Sequence, residues 1–300
     1  MEATGPYSHS ITKWVTILAE RDNGFTLPTL EDEFISPLRS LISIITHKRA
    51  ECFNLQLQPA DDAYDLPFPI DVDPGVRDRE DTTGHGKVAF TPDQIDVHSF
   101  VKNWITLARQ NVVPVSAAEP SGTYPSLQEQ VVECVNAAET LHRTLHGDPD
   151  NFPFTTKVWA ALKNIEGLNR REREKVRSAV KFVEFPLRSR LEELAGALGG
   201  EFCEWYLRGS LENWALVSSA VRNALSHGYR TSHALEHDVA TLIGITKVTR
   251  SIIALRLLVA AGLPSGTDLR DFVARDRYYL ALLRQSVADW NSLASKIQPT

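Results

Sequence analysis

Ala220-Val221-Arg222-Asn223-Ala224-Leu225-Ser226-His227-Gly228 reads as the last turns of a helix with its stop signal attached. At about 100° per residue, with Arg222 at zero, Ser226 falls near 40°, Asn223 near 100° and His227 near 140°. Val217, Ala220, Val221, Ala224 and Leu225 occupy the opposite arc. The polar residues therefore share one face, and the apolar arc faces a core. Gly228 suits the left-handed position that ends such a helix.

Working outward, helical patterning continues on both sides. Ser126 with Glu129 three residues on forms a capping-box pattern, and a helix follows to about His146, closed by Gly147 and Pro149. Further helices are expected at Phe154 to Ile165, Arg170 to Phe182, Leu187 to Leu198, Phe202 to Arg208, Glu212 to His227, Ser232 to Leu263 and Asp268 to Ile297. No strand pattern of any strength and no internal repeat interrupts them. Residues 126–300 thus read as an all-α bundle.

The first part is mixed. Phe34 to Thr46 and Asp93 to Gln110 carry helical spacing, whereas Glu51 to Gln58 alternates, with Phe53, Leu55 and Leu57 on one side. Pro59 to Lys87 is rich in Asp, Pro and Gly and reads as a loop. Asn111 to Pro125 holds three prolines and reads as the connection between a smaller α/β portion, residues 1–118, and the helical domain.

The 300 residues are 43% apolar and 23% charged, which excludes a disordered chain or a fibre. The net charge of −6 is unevenly spread. Residues 1–120 hold 10 Lys/Arg against 18 Asp/Glu, and the remainder 22 against 20. An acidic total disfavours indiscriminate duplex binding but allows a local basic groove. Arg170, Arg171, Arg173, Lys175, Arg177 and Lys181 are the candidate; interspersed Glu172 and Glu174 favour a solvated face. Cys52, Cys134 and Cys203 are odd in number and widely spaced, as expected of reduced thiols in a cytoplasmic protein. No secretory signal is evident. Lys247, Arg250 and Arg256 within Ile243 to Leu263 argue for an amphipathic helix and against a membrane span.

The polar face suits phosphodiester chemistry. His227 brings an imidazole, a side chain that can take a proton from a 2′-hydroxyl or give one to a leaving oxygen. Arg222 can fork onto a phosphate. Asn223, four residues before His227, can hold imidazole or phosphate. RNA carries its own nucleophile, so neither metal nor cofactor is required. Two other sets have metal-ligand character: Glu139, His142 and His146, and His233, Glu236 and His237. Without an HExxH order or a nearby cysteine, a solvated or hydrogen-bonded face is the simpler reading. No P-loop and no GxSxG motif occurs. Trp205, Tyr206 and Trp214 could stack bases, but helical spacing favours the core. Gly84-His85-Gly86 reads as a turn.

Arg222-Asn223-x-x-x-His227 resembles the Arg-x4-6-His motif of the HEPN superfamily, with its polar residue directly after the arginine. The surroundings resemble an ApeA-like HEPN domain over roughly residues 126–290. They include Ala138-Glu139-Thr140-Leu141-His142-Arg143 upstream and Leu257-Leu258-x-x-x-Gly262-Leu263 downstream. Residues 1–118 look similar to the later part of an ApeA N-terminal domain, in truncated or reduced form, of regulatory or sensing type. The resemblance implies a helical bundle pairing as a homodimer, with Arg222 and His227 of both protomers lining one cleft. It implies metal-independent RNA cleavage to a 2′,3′-cyclic phosphate, within a toxin or anti-phage abortive-infection system answering a phage-derived or regulatory trigger. Asn223 matches the motif's polar position, Glu139 corresponds to an acidic residue on the first long helix, and Ser226 lies outside the motif as a supporting residue. The alternative is a HEPN-like module that binds RNA or a partner without cutting.

Overall fold

A computed structural model describes residues 26–50, 55–57, 68–70, 95–120, 126–147, 160–161, 167, 169–181, 185–208, 210–231, 233–275 and 289–297. It is mainly helical. The expected helix at Phe154 to Ile165 lies almost wholly outside these residues, as does Gly84-His85-Gly86.

Two helices form the centre. Helix α5 (Leu127–His146) begins at the Ser126 capping box: the Ser126 side chain accepts from the Glu129 amide while Glu129 accepts from the Ser126 amide. Helix α10 (Val239–Ala261) packs along it. The sequence suggested an amphipathic α10. Instead it is buried almost all round, as befits a helix enclosed by others. Its cations reach the ends of neighbouring helices. Arg250 Nε donates to the Ala117 carbonyl at 3.0 Å, and Arg256 Nη1 to the Ala197 carbonyl at 3.3 Å. Both carbonyls lie at helix C-termini, where positive charge is favoured. No described helix is long and apolar enough to cross a membrane.

Around this pair stand α3 (Val97–Gln110), α4 (Val112–Ala118), α7 (Leu187–Gly196) and α9 (Leu211–His227). Helix α4 corrects the expected linker. Asn111 to Pro125 contains a helical turn pair that buries Pro114, Val115, Ala117 and Ala118 against α5 and α10. Apolar Val115 and the small alanines outweigh the proline signal, because Pro114 falls in the first turn, where no amide partner is lost. Helix α1 (Leu27–Leu30) leads through a π-helical turn (Glu31–Ile35) into α2 (Ser36–Thr46). Trp104 of α3 is fully buried and its indole donates to the Pro37 carbonyl at 2.7 Å, tying α2 to the bundle.

Strands β1 (Leu55–Leu57) and β2 (Phe68–Ile70) pair antiparallel, with Leu55 opposite Ile70. Strand β1 falls in the alternating segment, and β2 inside the stretch expected as loop. The rest of the α/β portion expected over residues 1–118 is not shown: residues 51–54, 58–67 and 71–94 lie outside the described residues.

The remaining elements are α6 (Arg170–Lys181), α8 (Gly200–Tyr206), a 3-10 turn (Leu235–His237), α11 (Thr267–Arg275) and α12 (Trp290–Ile297). The helix expected from Ser232 starts later because Asp238 caps it, accepting from the Thr241 amide at 2.9 Å. At the turn between α7 and α8, the Gly266 amide donates to the Leu198 carbonyl at 2.9 Å. Gly199 there has φ +108°, and a Cβ on it would lie 2.7 Å from the Gly266 Cα. Both conditions exclude other residues.

Candidate functional site

Helix α9 carries the expected motif at its C-terminal end. Its apolar arc is seated as the spacing requires: Val217, Val221 and Ala224 are buried. Ser210 caps its start by accepting from the Asn213 amide at 3.1 Å, and Gly228 takes the left-handed conformation at its end, φ 69°. Helix α12 packs on α9, with Asn213 donating to Asn291 at 2.7 Å.

Arg222 and Asn223 are half-buried; Ser226 and His227 are exposed. The Arg222 guanidinium is held from two helices. Its Nε donates to Asn136 Oδ1 of α5 at 2.8 Å and its Nη1 to Asn223 Oδ1 at 3.0 Å. Its Nη2 lies 3.9 Å from Glu139 Oε2. The same carboxylate accepts from Arg143 Nη2 at 3.0 Å and lies 3.8 Å from Arg190 Nε. One carboxylate thus faces three guanidinium groups, leaving local positive charge.

Arg190 is fully buried. It donates to the Phe185 carbonyl at 3.1 Å and lies over the Phe185 ring at 5.6 Å. Arg143 and Arg222 keep part of their surface open, 35% and 21% of the side chain. They are the two cations of the cluster that an incoming anion can reach.

His227 stands apart. Among the described residues its ring contact is with Tyr229, centroids 5.9 Å apart and tilted by 46°. Tyr229 is 69% exposed. Asn223, expected to hold imidazole or phosphate, spends its carbonyl oxygen on Arg222 and keeps its amide donors. Ser226 adds an exposed hydroxyl on the turn next to His227.

The first metal-like set is divided. Glu139 turns to the arginines, while His142 and His146 turn to Glu193 of α7. His142 Nε2 lies 2.9 Å from Glu193 Oε2, and the two imidazoles stack at 4.8 Å. Burial, helped by His142 and Arg256 and opposed by Glu193, holds the His146 pKa below its ordinary value. In the second set Glu236 accepts from the Thr231 amide and hydroxyl, at 3.2 and 2.6 Å, a turn-closing role. Trp214 and Tyr206 belong to the core, and Trp205 is partly buried against it.

Sequence reasoning missed Asn136, Arg143, Arg190, Glu193 and Tyr229. Asn136 and Arg143 lie on α5, whose polar spacing pointed instead to Glu139, His142 and His146, and Arg190 and Glu193 lie on α7. Tyr229 had a local signal, an aromatic residue two positions after His227 and just beyond the stop glycine.

Residues 132–267 match the family model described as Apea-like HEPN. No curated protein and no solved structure matches the chain. The matched span contains α9 with Arg222 and His227, the α5 residues that hold Arg222, and Arg190 on α7; over residues 132–267 the chain is similar to the Apea-like HEPN family.

Proposed function

We propose that this protein is a metal-independent endoribonuclease of HEPN type, acting as a homodimer. The carrying observation is the guanidinium cluster on Glu139 beside a motif helix that presents His227 to solvent. A phosphate meets fixed cations there, and the family is associated with RNA and nuclease activity.

In the reaction, the RNA 2′-oxygen attacks the adjacent phosphorus. The 5′-oxygen bond breaks, and a 2′,3′-cyclic phosphate remains. His227 takes the 2′-hydroxyl proton or protonates the leaving oxygen. Arg222, pre-oriented by Asn136 and Asn223, stabilises charge on the non-bridging oxygens. Asn223 donates its amide hydrogens to the same group, and Glu139 fixes the arginines. The second protomer supplies the complementary histidine, since no side chain among the described residues hydrogen-bonds the imidazole. Exposed Tyr229 offers a face for base stacking. Residues 1–118 take the regulatory or sensing role, and residues 126–300 the nuclease role, within a toxin or abortive-infection response to phage.

His227→Ala is expected to lower cleavage of labelled RNA by about a hundred- to ten-thousand-fold with folding unchanged, and to abolish growth arrest on expression. Undiminished cleavage removes the assignment. A second reading, RNA or partner binding without cleavage, is favoured by the same lack of a hydrogen-bond partner for His227 among the described residues. With a chelator present, the enzyme still cuts labelled RNA, whereas a binder only retards it in a gel.

A further inference from the structure

We propose that His142, His146 and Glu193 form a binding site for a borderline divalent cation, Zn2+ or its analogues Co2+ and Ni2+, bridging α5 to α7. The three side chains bring one ligand atom each to within 4.8 Å of one another. His142 and His146 are four residues apart on one helix face, the spacing that places two imidazoles on one metal. Glu193 supplies the third ligand from a second helix. His142 is 1% exposed, and its Nδ1 is buried without a hydrogen-bond partner. A buried imidazole offering its other edge to a carboxylate is a poor core residue and a good ligand.

Ligands about 2 Å from a tetrahedral centre stand about 3.3 Å apart, so the set must contract. The two rings stack nearly parallel, and one must turn for both to face a common ion. His146 and Glu193 are exposed, so both can move without disturbing the core. Two imidazoles and one carboxylate leave a fourth position for water. Imidazole nitrogen selects zinc-like ions over magnesium or calcium. Two features limit affinity: Arg256 is close enough to act on His146, and His142 Nδ1 lacks the outer hydrogen bond that usually steadies a ligand imidazole. The cation acts as a clasp between helices, takes no part in phosphodiester cleavage, and does not depend on the nuclease reading.

The test uses the full chain stripped of metal by a chelator and titrated with Zn2+ against a chromophoric competitor. Wild type, His146→Ala and Glu193→Gln are compared. Expected is one Zn2+ per chain in the wild type, with affinity reduced by more than about tenfold in each variant. Zn2+ should also raise the unfolding temperature of the wild type and of neither variant. Both substitutions fall on exposed side chains, so folding is retained. Absence of zinc uptake overturns the proposal. So does uptake unchanged in both variants, which moves the ion to other histidines such as His227 or His237.

Discussion

Arg222 owes its position to another helix. Asn136 and Glu139, more than eighty residues earlier, hold two of its three nitrogens, and Asn223 the third. Such a guanidinium is oriented before any phosphate arrives, which reduces the reorganisation left for the transition state. Glu139→Gln tests this arrangement. Removing the carboxylate leaves buried Arg190 short of counter-charge, and stability should fall by about 1–2 kcal/mol, a buried-pair loss discounted for the partial exposure of Glu139. Urea unfolding measures it. RNA binding should hold or tighten as local positive charge grows, while turnover falls because Arg222 is less fixed. At this scale Arg222, Asn223, Ser226 and His227 were legible, because helical angle alone sorts neighbours into faces. Asn136, Arg190 and Glu193 were not. Their roles come from contacts between helices, and a single spacing rule contains nothing about which helix lies opposite.

Helix ends were the most readable elements. Ser126 with Glu129 and Gly228 act as their types predict, since each satisfies backbone groups within its own turn. The start of α10 was misplaced by several residues because Asp238 caps the helix locally and Leu235–His237 before it form a separate 3-10 turn. Its carboxylate accepts from both the hydroxyl and the amide of Thr241, and these bonds hold its pKa below the usual 3.8. A depressed carboxylate stabilises the fold above its unfolded pKa, and that contribution disappears as pH falls through the folded value. Asp238→Ala should therefore cost about 1 kcal/mol at neutral pH and progressively less below about pH 4. Chemical denaturation at pH 7 and at pH 3 checks both halves of this expectation. The exposed basic residues of α6 are a different case. Asn169 and Glu172 exchange hydrogen bonds at its start, at 2.9 and 3.0 Å, so one of the interspersed acids serves a cap.

Over the whole molecule, one apolar cluster joins α2, α3 and α4 to the bundle through Leu41, Trp104 and Val115. The helical class was legible because long amphipathic periods survive any tertiary arrangement. The seating of α4 was not, because a short segment with prolines looks the same whether it crosses solvent or lies on α10. Cys134 and Cys203 lie inside this core, and burial raises both thiols, Cys203 to about 11. At pH 8 the thiolate is scarce. In a Cys52→Ser background, the folded protein should resist a thiol-reactive dye, and two groups should label after denaturation. Rapid labelling of the folded form would mean that the core opens. The approach of Gly199 to Gly266 has a consequence of another kind. Even alanine is barred from position 199, so a saturation library should keep glycine there while neighbouring surface sites drift. That pair would serve as a signature for recognising chains that share this bundle's internal joinery rather than merely its number of rods.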